Sequence, residues 1–428
     1  MKKVLIITYY WPPAGGPGVQ RWLKFVKYLQ EFDVEPVVYV PENPTYPLID
    51  KSLKTEIPQN IKVLKYKIFE PYAVAGIFSK KDTQTISSGI ISKEEKQSFL
   101  QKMMLYIRGN FFIPDARKFW IKPSVKFLKE ILAEEKIDTV ITTGPPHSLH
   151  LIGLQLKNEF GVKWMADFRD PWTNIGYHDK LKLTAKSQKK HLKLENEVLK
   201  GANHIITTSF TTKKEFEVKT SQPVSVITNG FDTEVATENV RLDKKFTFAH
   251  IGSLLSGRNP KNLWKAFGEL IKENQDFQQD FELKLVGAVS EEVLDSIKAE
   301  GLEIYLQIKK YVPHSEAIEI QRRSQVLLLI EIDSEETKGI IAGKVFEYIA
   351  SKRPILAMGP MEWDVRRILE ETSGGSFFGY SEKENLKIYL LQLYSEYKHG
   401  RLKSISRNID HYHRRNITAQ LAMLLKKM

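Results

Sequence analysis

Cysteine is absent from all 428 residues. Disulfides, thiolate nucleophiles and cysteine-ligated zinc or iron–sulfur centres are therefore excluded, and the composition fits a reducing interior. Any chemistry must use oxygen and nitrogen groups. No run approaches the roughly 20 apolar residues that a membrane-spanning helix needs. The opening "MKKVLIITYYWPPAGG" begins like a signal peptide, but its apolar run is short and ends in Tyr-Tyr-Trp-Pro-Pro instead of a small-residue cleavage site. It reads as a first strand, and the expected location is the cytoplasm. Two phosphate signatures are missing as well. A Walker loop needs Gly-Lys-Ser/Thr where this chain has Gly18-Val19-Gln20-Arg21, and the dinucleotide fingerprint needs a third glycine where Arg21 stands, which disfavours NAD.

What is present is a large apolar fraction, 42%, beside 27% charged residues. Single cores stop growing near ~250–300 residues, so two domains are expected. Short apolar runs alternate with helical patterns, the signature of βα units and parallel sheets. In the first half the strands are "KVLIIT", "VEPVVYV", "IKVLKY", "DTVITT", "KWMADF", "HIITTS" and "VSVITN". A helix from Val19 to Phe32 lines Val19, Trp22, Val26 and Leu29 along one face and turns Lys24 and Lys27 outward. Residues 41–110 are the least regular part and read as an insertion. A second series starts near Lys245 with "FTFAHIGSLL", "FELKLVG", "IYLQIKKYV", "VLLLIEI" and "PILAMG". The expected fold class is thus α/β, two Rossmann-like doubly wound domains facing a cleft. The hand-over follows the Asn229-Gly230 turn, with the boundary near 236, giving domains 1–235 and 236–407.

Ligands of open parallel sheets bind at the carboxyl ends of the strands. After the first strand comes "YYWPPAGGPGVQRW", where Pro12, Pro13, Gly15, Gly16, Pro17 and Gly18 give up side chains and leave backbone N–H groups at a helix N-terminus that favours anions. A purely structural turn would look the same. After "DTVITT" stands His147, and "DFRDPW" carries Asp167, Arg169 and Asp170. In the second series Arg258 follows a strand, and Gly343, Lys344 and Glu347 open a helix. Lys344 and Glu347 share one helical face. An ammonium there suits a diphosphate and a carboxylate suits a ribose diol, with Arg258 as a second cation. A surface ion pair is the plain alternative.

A net charge of +12 asks for an anionic partner: nucleic acid, phosphorylated metabolites or an acidic membrane surface. The basic residues are scattered, apart from Phe111 to Leu132. There Lys118, Lys122, Lys126 and Lys129 recur at helical spacing beside Phe119, Trp120, Phe127 and Leu128. Such a segment either rests on an anionic bilayer or packs as an ordinary surface helix.

"VITNGFD", "HIGSLLSGRNPKNL", "KLVG" and "GKVFEYIASKRPILA", following the N-terminal glycine loop, resemble the retaining glycosyltransferases of the GT-B fold, in particular family 4. The resemblance runs over nearly the whole chain. It implies an acceptor held by the first domain, a nucleotide sugar held by the second, and a C-terminal helix of about residues 408–428 returning to the first. On that basis Arg258, Lys344, Glu347, Gly343 and Gly16 bind the donor, Gly15, Arg21 and Arg169 the acceptor, and Asp167, Asp170 or His147 accepts the hydrogen bond of the attacking hydroxyl. The nucleotide sugar is a co-substrate, no cofactor or metal is expected, and the acceptor is a saccharide or a lipid-linked one at the inner membrane face. Nucleic acid is not an expected partner. Two positions depart from the family: Gly339 stands where a second glutamate is common, with Glu335 and Glu336 out of register, and Ser253 stands where an arginine is usual. Glu331-Ile332-Asp333 is similar to a metal-binding acidic pair of other glycosyltransferases, but its setting in a second Rossmann-like series argues against that role.

Overall fold

Runs rich in Val, Ile and Leu become strands because branched side chains pack well on a pleated surface, and near-continuous apolar runs fit a parallel sheet covered on both faces. The computed structural model describes residues 1–69, 99–174, 181–232 and 240–428. Much of the expected insertion at 41–110 and the expected boundary at 236 lie outside the described residues. Met1–Asn229 and Arg414–Met428 form one compact unit, and Gly230–His413 another.

In the first unit all seven expected runs are strands: β1 (Lys2–Ile7), β2 (Val34–Pro41), β3 (Lys62–Tyr66), β4 (Thr139–Gly144), β5 (Lys163–Phe168), β6 (His204–Thr207) and β7 (Val224–Val226). They pair in parallel in the order β3-β2-β1-β4-β5-β6-β7. The helices are α1 (Pro17–Leu29), α2 (Phe99–Phe111), α3 (Ile121–Glu134), α4 (Ser148–Phe160), α5 (Ala185–Gly201) and α6 (Phe210–Lys219). One core joins Val4 and Ile6 to Trp22 and Val26 of α1 and to Leu421 and Leu425 of the C-terminal helix, Arg414–Lys427. Lys2 Nζ donates to Leu425 O at 2.7 Å. A second core joins Leu5 and Ile7 to Leu128, Leu149, Ile152 and Leu199.

One expectation for α1 is corrected. Lys24 does not point into solvent; it is buried, with Nζ 2.7 Å from Glu56. The chain at 51–56 is the cause, since its Leu53 joins the core beside α1 and brings Glu56 with it.

The second unit repeats the plan with β8 (Phe246–Ile251), β9 (Phe281–Val286), β10 (Leu306–Lys309), β11 (Val326–Ile330), β12 (Ile355–Met358) and β13 (Gly375–Phe378). Their order is β10-β9-β8-β11-β12-β13, again parallel. The helices are α7 (Lys261–Glu273), α8 (Gln275–Asp280), α9 (Glu291–Ala299), α10 (His314–Arg323), α11 (Lys344–Ala350), α12 (Asp364–Thr372) and α13 (Lys383–Lys398). Phe246, Phe248, Phe267 and Phe281 fill the core. Of the strands, only β13 was not legible in the sequence. It has four residues and begins on a glycine, whose Cβ would run into Ile355 O.

Strand order reverses between β1 and β4 in one sheet and between β8 and β11 in the other. Each reversal sends the following helices to opposite faces and leaves a crevice at the strand ends, the usual ligand position in such sheets.

Candidate functional site

At the reversal in the second unit, β8 ends at Ile251 and is followed by Gly252 at φ 127. That backbone conformation favours glycine. A Cβ on Gly252 would also lie 3.1 Å from Lys344 Nζ. Lys344, the first residue of α11, thus reaches over the bare end of β8. Its ammonium donates to Ile251 O at 3.1 Å and lies 3.4 Å from His250 Nε2. Both neighbours are neutral, and no carboxylate among the described residues comes within ion-pair reach of it. Burial first, and the charge of Arg258 second, lower the Lys344 pKa to about 8 against the pull of Glu331 and Glu347. An ammonium so placed is partly stripped of hydration and has no carboxylate among the described residues paired with it, and an anion would supply what is missing.

Arg258 is held differently. Its Nε and Nη2 meet the two carboxylate oxygens of Glu331 at 2.8 and 3.1 Å. Glu331 is buried immediately after β11, accepts the Ile332 N–H at 2.9 Å, and receives the Tyr380 hydroxyl on its backbone oxygen at 2.8 Å. Of the acidic pair noted in the sequence, this carboxylate is engaged in orienting a guanidinium. Arg258 therefore offers its remaining donors in fixed geometry while Glu331 offsets its charge, and the uncompensated charge of the cluster resides on Lys344.

Glu347 lies one turn along α11, yet it forms no ion pair with Lys344. Gln321 Nε2 donates to Glu347 Oε2 at 3.1 Å, and His314 Nε2 stands 3.8 Å from Oε1. A simple surface Lys–Glu pair is therefore not what this spacing produces. Gly343 has helical φ and ψ, and a Cβ there would meet nothing within 4 Å. Among the described residues the N–H groups of Gly343 and Lys344 have no acceptor. The helix itself has seven residues, so its dipole is small and the side chains dominate. Glu335, out of register in the sequence, sits on the surface, 85% exposed and 2.6 Å from Lys338.

In the first unit several expected site residues turn out to hold the fold. Asp167 and Arg21 are both buried: Asp167 accepts from Arg21 Nη2 at 3.0 Å and Nε at 3.4 Å, from Trp22 Nε1 at 2.7 Å and from Thr143 Oγ1 at 2.8 Å. Arg21 Nη1 donates to Thr228 O at 2.8 Å. With its lone pairs engaged and no exposure, Asp167 is committed to the protein's own donors, and Arg21 to Asp167 and Thr228 O. His147 is buried at the N-terminus of α4 with its ring flat on Trp172, centroids 4.9 Å apart and planes 4° apart. Stacking and burial thus take it away from a direct encounter with a hydroxyl.

The glycine loop divides its work. Gly15 donates its N–H to Leu48 O at 3.0 Å, and a Cβ on it would crowd Leu48 and Asp50, so its backbone is committed to the protein. Gly16, at φ 102, precedes α1, and the N–H groups of Gly16 and Gly18 have no acceptor among the described residues. Gly18 lacks a side chain because the Arg169 guanidinium occupies that place. Arg169 donates to Gly144 O at 3.3 Å and to Pro145 O, and lies over the Tyr10 ring at 5.7 Å. Asp170 is exposed over the residue as a whole. Its carboxyl is nonetheless crowded by protein, and that desolvation pushes its pKa up, with Arg169 opposing and Asp167 adding.

The basic aromatic segment is amphipathic against its own unit: Trp120 and Leu128 are buried while Lys122, Lys126 and Lys129 are exposed. Exposed apolar side chains stand just before it, at Tyr106 and Ile107 of α2, and within it, at Phe111 and Phe119. Among the described residues no helix is long and apolar enough to cross a membrane.

No family model and no curated protein matches the chain in sequence. In structure, sucrose-phosphate synthase from Thermosynechococcus elongatus is similar at TM-score 0.62 and 12% identity, over 100% of this chain and 99% of that one. The lipopolysaccharide outer core galactosyltransferase WaaB, in its apo form, is similar at TM-score 0.58 and 13% identity, over 100% of both chains. A putative UDP-N-acetylglucosamine 2-epimerase from Listeria monocytogenes is similar at TM-score 0.54 and 13% identity, over 100% of this chain and 96% of that one. At such identities the likeness concerns the fold: this chain has the two-unit, parallel-sheet α/β architecture of these proteins along its whole length.

Proposed function

We propose that the chain is a retaining glycosyltransferase that moves a sugar from a nucleoside-diphosphate sugar to a saccharide or lipid-linked acceptor without a metal. The observation that carries this reading is the Lys344 ammonium, uncompensated at the strand reversal of the second sheet beside Arg258 and one turn from Glu347. Such a cation offsets the charge that a diphosphate gains as the glycosidic bond breaks, and fixed donors at developing charge are the usual largest contribution to this kind of catalysis. Glu347 accepts the ribose hydroxyls. Departure of the diphosphate leaves an oxocarbenium-like carbon, which the acceptor hydroxyl attacks from the same face as its proton passes to the departing diphosphate. Asp170, exposed and with a raised pKa, is the group of the first unit that receives that hydroxyl's hydrogen bond, with Arg169 and the glycine loop beside it.

Neighbours of the same fold include an enzyme of lipopolysaccharide synthesis, which favours an acceptor of the cell-surface polysaccharide or glycolipid class. The exposed apolar side chains of α2, together with the exposed lysines of α3, favour contact with an anionic membrane surface at its cytoplasmic face. The epimerase of the same fold supports a second reading, a sugar-nucleotide epimerase. Thermal shift against UDP, GDP and their sugars tests the donor site, since a tight ligand stabilises by mass action. Product analysis with and without acceptor then separates the two reactions: transfer requires the second substrate, epimerisation proceeds without it. Failure of every nucleotide and sugar nucleotide to bind would overturn both.

A further inference from the structure

His250 lies on β8 two residues before Gly252 and is fully buried. An apolar residue is the ordinary choice for the middle of a parallel sheet, so an imidazole there calls for a reason. Its Nδ1 is 3.1 Å from Leu328 O of β11. A carbonyl oxygen only accepts, so Nδ1 carries the hydrogen. The ring is neutral, because burial first and the charge of Lys344 second hold its pKa well below the usual value, with the Leu328 and Ser253 backbones pulling the other way and Arg258 adding to the depression. A neutral ring with hydrogen on Nδ1 has its lone pair on Nε2, and Nε2 faces Lys344 Nζ at 3.4 Å.

The ammonium of Lys344 has three hydrogens. Ile251 O takes one and His250 Nε2 takes another. The third is left without a protein acceptor among the described residues. Resting on the nucleotide-sugar reading, we propose that His250 is the positioning residue of the donor site: its Nε2, together with Ile251 O, fixes the Lys344 ammonium above Gly252 so that the remaining N–H meets a diphosphate oxygen.

Only a neutral acceptor serves here. A carboxylate in place of the imidazole would cancel the charge that the diphosphate needs, and an apolar residue would let the lysine swing. The charged groups acting on Lys344 are Arg258, Glu331 and Glu347, and none of them takes the hydrogen that His250 takes. One consequence follows for pH. The site binds while Lys344 is protonated, so affinity falls as pH rises past the free pKa of about 8.

Calorimetry with UDP and with GDP between pH 6.5 and 9.5, on the full chain and its variants, tests the assignment. The wild type is expected to lose up to about tenfold in affinity per pH unit above the break. His250→Leu is expected to weaken binding roughly tenfold or more at pH 7, the cost of losing a hydrogen bond to a charged group, and to move the break to lower pH. His250→Gln, which retains an amide oxygen, recovers part of both. Histidine 13C and 15N shifts of the unsubstituted protein provide a readout that needs no variant to fold: hydrogen on Nδ1 is expected, and hydrogen on Nε2 overturns the proposal. Nucleotide binding whose strength and pH break are unmoved by His250→Leu overturns it while leaving the donor site intact. Absence of nucleotide binding by the wild type overturns the donor site, and the positioning role with it.

Discussion

Arg21 and Asp167 meet inside the first unit with Nη2 and Oδ1 3.0 Å apart and side-chain exposures of 1% and 0%. The pair joins the first helix to the end of β5, and Trp22 and Thr143 complete its hydrogen bonds. Breaking a buried pair leaves an uncompensated charge, which costs about 3–5 kcal/mol. Asp167→Asn should therefore lower unfolding stability by about that amount in urea titrations. It should leave nucleotide affinity in the folded fraction unchanged. A stability change under about 1 kcal/mol would show that the pair is not the clamp described.

Arg258 and Lys344 should both behave as donor-site residues, while loss of Arg258 also strips the buried Glu331 of its partner and is expected to cost some stability. Replacing both with Ala is expected to abolish UDP and GDP binding in calorimetry while circular dichroism stays native. Unchanged binding would rule the site out.

Lys344 also has a signature of its own in stability against pH. Its folded pKa, about 8, lies below the 10.5 of the unfolded chain. Between those values the unfolded state holds more of the proton, so this group makes stability rise with pH there, by at most about 1.4 kcal/mol per pH unit. Lys344→Met should remove that rise, and at pH 7 it should leave the protein at least as stable as before while destroying nucleotide binding. A variant that is less stable at pH 7 would contradict an ammonium held without a counter-ion.

For Glu347, loss of the ribose hydrogen bonds in Glu347→Ala is expected to cost about 1–3 kcal/mol of donor affinity. A non-catalytic basic binder of membrane or nucleic acid would keep its affinity in that variant, so one titration discriminates between the classes.

Membrane contact through α2 predicts association with vesicles rich in anionic lipid that weakens steeply with salt. Ile107→Asp and Phe111→Asp, both at exposed positions, should abolish association without unfolding the protein. Association that ignores salt, or survives both changes, would dismiss this surface.

The two sheets were legible because their information is local. A parallel strand buried on both faces must be apolar throughout, so "KVLIIT", "VLLLIEI" and their companions declare themselves; β13, four residues beginning on a glycine, does not. The strand ends were legible for the same reason, and with them Lys344, Arg258 and Glu347 as a set. What the sequence by itself determined is which residues stand at those ends.

Only the tertiary structure decided which of them are free to act. Two arginines of the first unit look alike in sequence, yet Arg21 is neutralised by Asp167 while Arg169 leans on carbonyl oxygens beside Gly18. Two cations of the second unit look alike as well, yet Glu331 pairs with Arg258 and no carboxylate among the described residues pairs with Lys344. His250 left no signal at all, since one histidine in an apolar run has no partner until β11 and α11 arrive beside it. The physical reason is common to all of them: a charge is set by its neighbours within a few ångströms and by the water it has lost, and these hydrogen-bond partners come from 24 to 146 residues away.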